Sequence, residues 1–176
     1  MSENPNLYII DTSSLIQIKD HYDRHILPGI WKDLEQLIID QRLVAPEEVK
    51  NEILDGDDSL VKWVHDHARM FYPNADLIDS TQNNVLKTFP KMAKEDSEKP
   101  NADPFVVALA LIVSEGPQQA LISYNPIVVS DEKSDLLKNS KLPVSQVKKI
   151  PDVCGYFKLK CINHLEMFKT EGFRFH

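Results

Sequence analysis

The chain has 176 residues, of which 42% are hydrophobic and 27% are charged. Domains commonly contain about 100–200 residues, so we expect a single domain over residues 1–176. The composition is typical of a globular protein and excludes disorder as the main state. The formal net charge of −7 argues against a protein that binds nucleic acid through overall positive charge.

The N-terminal residues and the apolar runs predict a cytoplasmic protein. Residues 1–6 are polar and lack the cationic start and apolar stretch of a signal peptide. The longest apolar run, Phe105–Val113, is too short to cross a bilayer, which requires about 20 such residues. Cys154 and Cys161 form no CxxC pair, so we expect reduced, buried thiols rather than a disulfide or a zinc site.

Predicted strands and helices alternate from the start of the chain. The β-prone run Leu7–Ile10 predicts a strand buried on both faces, and a helix is expected directly after Asp11. Apolar residues at helical spacing predict a helix from Pro28 to Asp40. A short strand over Leu43–Ala45 and a helix beginning near Pro46 are expected to follow.

The middle of the chain is predicted to be helical. Two stripes at helical spacing indicate two helices, namely Leu60, Val64, Ala68 and Phe71, then Leu77, Thr81, Val85 and Phe89. The run Phe105–Val113 is apolar on every side and predicts the most buried helix of the protein.

The last third of the chain is predicted to complete the sheet. At least one of the runs Ala120–Ile122 and Ile127–Val129 is expected to be a buried strand. A short helix is expected from Pro151, and Lys160–Asn163 is a candidate edge strand. Alternating strands and helices indicate an α/β fold with a parallel sheet.

Three acids fall where such a fold binds ligands. Asp11 follows the first predicted strand, Asp131 follows a late one, and Asp103 begins the core helix. Ligands of parallel α/β sheets bind at the carboxyl ends of the strands, so these side chains are expected to meet at one edge. Each also has a purely structural interpretation, because Asp11 and Asp103 can cap helices and Asp131 can stand in a turn.

Carboxylates brought close together predict a cation between them. Their mutual repulsion raises their pKa values and costs stability unless an opposite charge compensates it. Oxygen ligands suit Mg²⁺ or Mn²⁺. Such ions activate water and stabilise the attacking and leaving oxygens of phosphodiester hydrolysis, which is therefore the expected reaction.

In order and spacing, four segments resemble the PIN domain: Leu7–Ile16, Glu48–Ile53, Ala102–Phe105 and Val129–Glu132. The resemblance covers nearly the whole chain. Two closing stretches, Lys149–Cys154 and Cys161–Asn163, are similar to a bacterial PIN-like branch that largely lacks assigned function and is related to VapC-type toxin ribonucleases.

This resemblance implies a three-layer α/β/α sandwich with a mostly parallel sheet, and a Mg²⁺- or Mn²⁺-dependent endoribonuclease that could be the toxin of a toxin-antitoxin pair. The implied catalytic and metal-binding acids are Asp11, Glu52, Asp103 and Asp131, with Glu132 as a further metal ligand or the alternative fourth acid. Thr12 and Ser13 would hydrogen-bond the first carboxylate and hold it in place. The implied partners are RNA, an antitoxin protein and a second copy of the chain.

Other functions stay open at this stage. The main alternative is a catalytically inert PIN-like scaffold that binds RNA or a partner protein. A phosphatase with Asp11 as nucleophile is disfavoured, because Ser13 stands where a second aspartate would be needed. Zinc binding by His21 and His25, or by His65 and His67, lacks further ligands at suitable spacing.

The net charge divides unevenly along the chain. Residues 136–176 carry eight basic and three acidic side chains, a balance of +5, which leaves −12 for residues 1–135. This basic segment could contact phosphates beside the acids. The candidate nucleic-acid contacts are Lys148, Lys149, Lys158 and Lys160.

Overall fold

The computed structural model describes residues 4–56, 59–73, 75–93, 100–116 and 123–175. In this part of the chain five strands form one sheet: β1 (Asn6–Ile10), β2 (Leu43–Pro46), β3 (Phe71–Tyr72), β4 (Asn125–Val129) and β5 (Lys160–Ile162). Their order is β3-β2-β1-β4-β5, and every neighbouring pair is parallel.

Helices connect the strands and flank the sheet. They are α1 (Thr12–His21), α2 (Pro28–Ile39), α3 (Glu47–Leu54), α4 (Ser59–Asp66), α5 (Asp76–Thr88), α6 (Asp103–Glu115), α7 (Ile150–Tyr156) and α8 (His164–Glu171). The architecture is a three-layer α/β/α sandwich, so the predicted fold class is confirmed. None of the helices in the described residues has the length and apolar character needed to span a membrane.

The apolar runs of the sequence form the centre of the molecule. Leu7–Ile10 in β1 is buried between neighbouring strands, with Tyr8 in register with Leu43 on one side and Ile127 on the other. Such runs are typical of strands covered by helices on both faces. In α6, residues 104–110 are all buried, so the apolar run does form the predicted core helix.

Several details of the middle of the chain differ from prediction. The helix that starts near Leu60 ends at Asp66, and Phe71 lies in β3, where it pairs with Ala45. Phe71 is buried there, and burial alone does not distinguish a strand from one more helical turn. In α5 the buried side chains are Ile78, Gln82 and Val85, whereas Leu77 is 60% exposed.

Three further outcomes concern the C-terminal half. Ile127–Val129 is a strand, while the alternative run at residues 120–122 lies outside the described residues. The edge strand and the short helix near Pro151 are present as predicted, and α8 is a helix that the sequence analysis did not identify. Both cysteines are free thiols; Cys154 is buried, and Cys161 is only partly buried.

A buried ion pair ties α8 to the sheet. Arg42 donates two hydrogen bonds to the carboxylate of Glu171, at 2.5 and 2.9 Å, and a third to the backbone carbonyl of Asn6 at 3.0 Å. The Tyr8 hydroxyl donates to the same carboxylate at 2.6 Å. Only 24% of the Arg42 side chain and 13% of the Glu171 side chain is exposed. The Glu171 carboxylate therefore accepts hydrogen bonds from Tyr8 in β1 and from Arg42, which directly precedes β2.

We expect Glu171→Ala to destabilise the protein, because it leaves the Arg42 guanidinium and the Tyr8 hydroxyl without their acceptor. Loss of one partner of a largely buried pair typically costs about 3–5 kcal/mol, and partial exposure brings our expectation to about 2–4 kcal/mol. The measurement is the free energy of unfolding in urea. Glu115→Ala, at the exposed end of α6, serves as control. An equal effect of the two substitutions would contradict the role of the pair.

Candidate functional site

Asp11 is a fully buried carboxylate at the carboxyl end of β1, where it is 1% exposed. Its Oδ1 accepts the backbone N–H of Ser14 at 2.7 Å, which caps α1. Its Oδ2 accepts the hydroxyls of Ser13 at 2.7 Å and Ser130 at 2.6 Å. Burial raises the pKa of the Asp11 carboxyl, and these hydrogen bonds act in the opposite direction. Asp11 therefore caps α1, in agreement with its structural interpretation.

Glu52 is held at the same edge by two other elements. Its Oε2 accepts the hydroxyl of Thr12 at 2.5 Å, and its Oε1 accepts the backbone N–H of Ala102 at 3.0 Å. Both Thr12 and Ser13 were expected to bond Asp11; Ser13 does so, but the Thr12 hydroxyl donates to Glu52 of α3 instead. The carboxylate of α3 is fixed between the start of α1 and the residue before α6.

Asp103 is a second acid of this edge whose ionisation is unfavourable. Burial, followed by the charge of Glu132, raises its pKa to about 7, and the charges of Asp11 and Glu52 add to the effect. A hydrogen bond of 3.0 Å from the side-chain amide of Asn101 to Oδ2 opposes the increase. Asp103 therefore lies within electrostatic range of three other carboxylates.

Glu132 is the acid from the segment after β4 that faces Asp103. Its Oε1 accepts the ammonium of Lys149 at 2.7 Å, and its Oε2 accepts the backbone N–H of Ile150 at 2.8 Å. Its own N–H donates to the hydroxyl of Ser130 at 3.3 Å. The fourth acid at this edge is already paired with a cation of the protein.

Asp131 is paired with a histidine of α8. Its Oδ1 bonds Nδ1 of His164 at 2.8 Å, and the other ring nitrogen of His164 lies 3.3 Å from the hydroxyl of Tyr22. Burial acts to raise the pKa of Asp131, but hydrogen bonds from His164 and Ser14 and the charge of His164 outweigh it and lower the pKa. Of the two acids after β4, Glu132 is the one whose charge acts strongly on Asp103, while Asp131 shares Ser14 as a neighbour with Asp11.

The loop that carries Glu132 is anchored by a buried acid of α7. Asp152 is 6% exposed, and it accepts the hydroxyl of Ser134 and, at 2.8 Å, the backbone N–H of Asp135. The start of α7 therefore holds this loop at two places, through Asp152 and through the contacts of Lys149 and Ile150 with Glu132.

The acid edge is defined here as the four carboxylates Asp11, Glu52, Asp103 and Glu132. Their oxygens are the ligands that a hard divalent cation prefers, and a cation would relieve the repulsion that raises the pKa of Asp103. Among the described residues, however, no three His, Cys, Asp or Glu side chains are spaced to share one ion as they stand. The donor set fits Mg²⁺ or Mn²⁺ in chemistry and charge, but binding of such an ion would require side-chain adjustment.

Comparison with protein families gives one match. A family model described as a domain of unknown function, DUF4411, matches residues 8–175. The chain belongs to the DUF4411 family. A search of curated proteins finds no match. The matched range of this DUF4411 chain includes every acid of the edge, together with Ser130, Lys149 and His164.

The DUF4411 chain also contains contacts that sequence reasoning missed. Asn101 stands two residues before Asp103, within the polar stretch before α6. This short spacing could have indicated the hydrogen bond between the two side chains. His164 is 33 residues from Asp131, and Lys149 is 17 residues from Glu132, so no local spacing indicates either pair. The other candidate nucleic-acid contacts, Lys148, Lys158 and Lys160, are exposed.

We expect Asp103→Asn to stabilise the DUF4411 chain in EDTA, increasingly so at higher pH. The folded-state pKa of Asp103, about 7, exceeds the ordinary value of 3.8, so folding stability falls as pH rises between these values. The amide does not ionise and escapes this loss. The advantage of the variant should therefore grow by about 2 kcal/mol from pH 5 to pH 8.

The measurement is thermal unfolding at the two pH values. Asp66→Asn, at an exposed position of α4, is the matched control and should show no such pH-dependent gain. A variant that is no more stable than the parent at pH 8 would show that the carboxylates do not oppose the ionisation of Asp103.

Proposed function

We propose that the protein is a Mg²⁺- or Mn²⁺-dependent endoribonuclease that hydrolyses RNA phosphodiester bonds. The observation that carries the proposal is the acid edge, in which a partly buried Asp103 has its pKa raised to about 7 by burial and by three neighbouring carboxylates. Such repulsion costs folding stability unless a cation compensates it. Clustered carboxylates with perturbed pKa values are therefore candidates for a metal-binding or catalytic site. The resemblance to PIN domains supports the same function.

In the proposed site, Asp11, Glu52 and Asp103 hold the ion. When bound, the cation would lower the pKa of a water molecule and offset the negative charge that develops on the phosphate. Ser13 and Ser130 orient Asp11, while Thr12 and the backbone of Ala102 orient Glu52. In the hydrolysis, a water oxygen bonds to phosphorus, the bond from phosphorus to one ribose oxygen breaks, and that oxygen leaves with a proton.

The proposed substrate contacts come from the basic C-terminal segment. Lys148, Lys158 and Lys160 are exposed, as contacts with a flexible phosphate backbone require. The further proposals of a toxin role, an antitoxin partner and a homodimer rest on the resemblance alone.

We expect the purified protein to cut single-stranded RNA in Mn²⁺ or Mg²⁺, and Asp103→Asn to reduce the rate at least roughly 100-fold. Residues that only support metal ligands already contribute about 10–100-fold, and Asp103 is proposed to be a ligand. The measurement is the cleavage rate of a labelled RNA, with and without EDTA.

The control is Asp66→Asn, which removes an exposed carboxylate of α4 and should cut RNA as the parent does. Equal cleavage by the parent and by Asp103→Asn would identify a contaminating nuclease and overturn the assignment.

A second candidate is an inert scaffold that binds RNA or a partner protein. It is favoured by the hydrogen bonds of the acid edge, because both carboxylate oxygens of Asp11, Glu52 and Glu132 already accept protein donors. In addition, no three acids in the described residues are spaced to share an ion as they stand. A scaffold would keep these hydrogen bonds and need no metal.

Titration with Mn²⁺ in the presence of RNA separates the two candidates. For a nuclease we expect saturable Mn²⁺ binding that Asp103→Asn weakens at least about tenfold, since one charged ligand is lost. Electron paramagnetic resonance of free Mn²⁺ measures the affinity. RNA binding by a folded protein that takes up no Mn²⁺ would favour the scaffold.

A further inference from the structure

We propose that Lys149 contacts the scissile phosphate, and that Glu132 positions Lys149 instead of serving as a metal ligand. The inference rests on the proposed nuclease function and assigns two side chains of its site to substrate binding. It concerns the ion pair between Glu132 and Lys149 at the acid edge.

Glu132 is held by two donors from one short segment. The ammonium of Lys149 lies 2.7 Å from Oε1, and the backbone N–H of Ile150 lies 2.8 Å from Oε2. Ile150 is fully buried at the start of α7, so its N–H cannot turn to another acceptor. If Glu132 moved to an ion, it would leave a buried N–H and an ammonium without their acceptor, which is unfavourable.

Lys149 retains the capacity to bind a phosphate. An ammonium has three N–H donors, and Glu132 occupies one of them in this structure. The side chain is 32% exposed, so solvent and a ligand can reach it. The charges of Asp103 and Asp135 also stabilise the ammonium of Lys149. The ammonium is therefore within electrostatic range of the acid edge.

A fixed positive charge beside the scissile phosphate would accelerate its hydrolysis. Attack on phosphorus increases the negative charge on the non-bridging oxygens, and a preorganised donor that meets this charge accelerates the reaction. A lysine without a partner would sample many rotamers, whereas the bond to Glu132 restricts Lys149 before substrate arrives. Glu132 therefore contributes through the orientation of Lys149.

The test measures kcat and KM for RNA cleavage in Mn²⁺, together with Mn²⁺ affinity, for Lys149→Gln, Lys149→Arg, Glu132→Gln and the double variant with both glutamines. We expect Lys149→Gln to lower kcat about 100-fold and to raise KM less than that. Lys149→Arg should recover part of the loss, because a guanidinium also donates to phosphate. The control is Lys32→Gln, which also removes one positive charge but at an exposed position of α2. It should change kcat by less than about twofold.

Glu132→Gln distinguishes a positioning residue from a metal ligand. We expect it to lower kcat about tenfold while Mn²⁺ affinity stays within about threefold of the parent, in contrast to Asp103→Asn. The double variant should be no slower than Lys149→Gln, because both substitutions act through the same ammonium.

Two results would overturn the inference while leaving the nuclease proposal intact. One is a Lys149→Gln variant as active as Lys32→Gln, and the other is a loss of Mn²⁺ affinity in Glu132→Gln equal to that in Asp103→Asn. If the parent protein neither cuts RNA nor binds Mn²⁺, the nuclease proposal fails, and the role of Lys149 in cleavage fails with it.

Discussion

Repulsion among carboxylates that share one edge of the sheet is the constraint on which the rest of the site depends. Four acids from four different segments meet there, and burial of Asp11 and Asp103 makes their charges more costly. The protein tolerates the arrangement because each carboxylate accepts hydrogen bonds from a neighbouring element. The same hydrogen bonds hold the acids in place for any cation or substrate that binds there.

These hydrogen bonds also connect the site to the fold. Asp11 caps α1 by accepting the backbone N–H of Ser14, Thr12 joins α1 to α3 through Glu52, and Ser130 joins the end of β4 to Asp11. A substitution at the acid edge therefore affects packing as well as the proposed function. This is why a change in the stability of such variants has to be measured beside any change in activity.

The neighbouring acids Asp131 and Glu132 illustrate how one edge serves two purposes. Asp131 pairs with His164 of α8, near Tyr22, and helps to attach the C-terminal helix. Glu132 pairs with Lys149 and faces Asp103. Two carboxylates that adjoin in sequence thus lie in different electrostatic surroundings, and the pKa of Asp131 is lowered while Glu132 helps to raise that of Asp103.

The sequence by itself determined the α/β class and the identity of three acids of the edge. Leu7–Ile10 and Phe105–Val113 are long apolar runs whose burial needs only the hydrophobic effect, so their structure follows from local pattern. The positions of Asp11 and Asp103 follow from those elements, because an acid at the end of a buried strand or the start of a core helix must lie at the edge of the layer. Glu52 was assigned to the edge only through the resemblance to PIN domains.

The tertiary structure alone decided the partners of the two acids after β4. Asp131 pairs with His164 of α8 and Glu132 pairs with Lys149 at the start of α7, and both partners are far away in sequence. The two-residue strand β3 also depends on the tertiary structure. Phe71 would be buried in either a helix or a strand, and only its pairing with Ala45 shows that it lies in a strand. Hydrogen bonds and ion pairs between distant segments have no local spacing to signal them, and this is the physical reason that the sequence left them open.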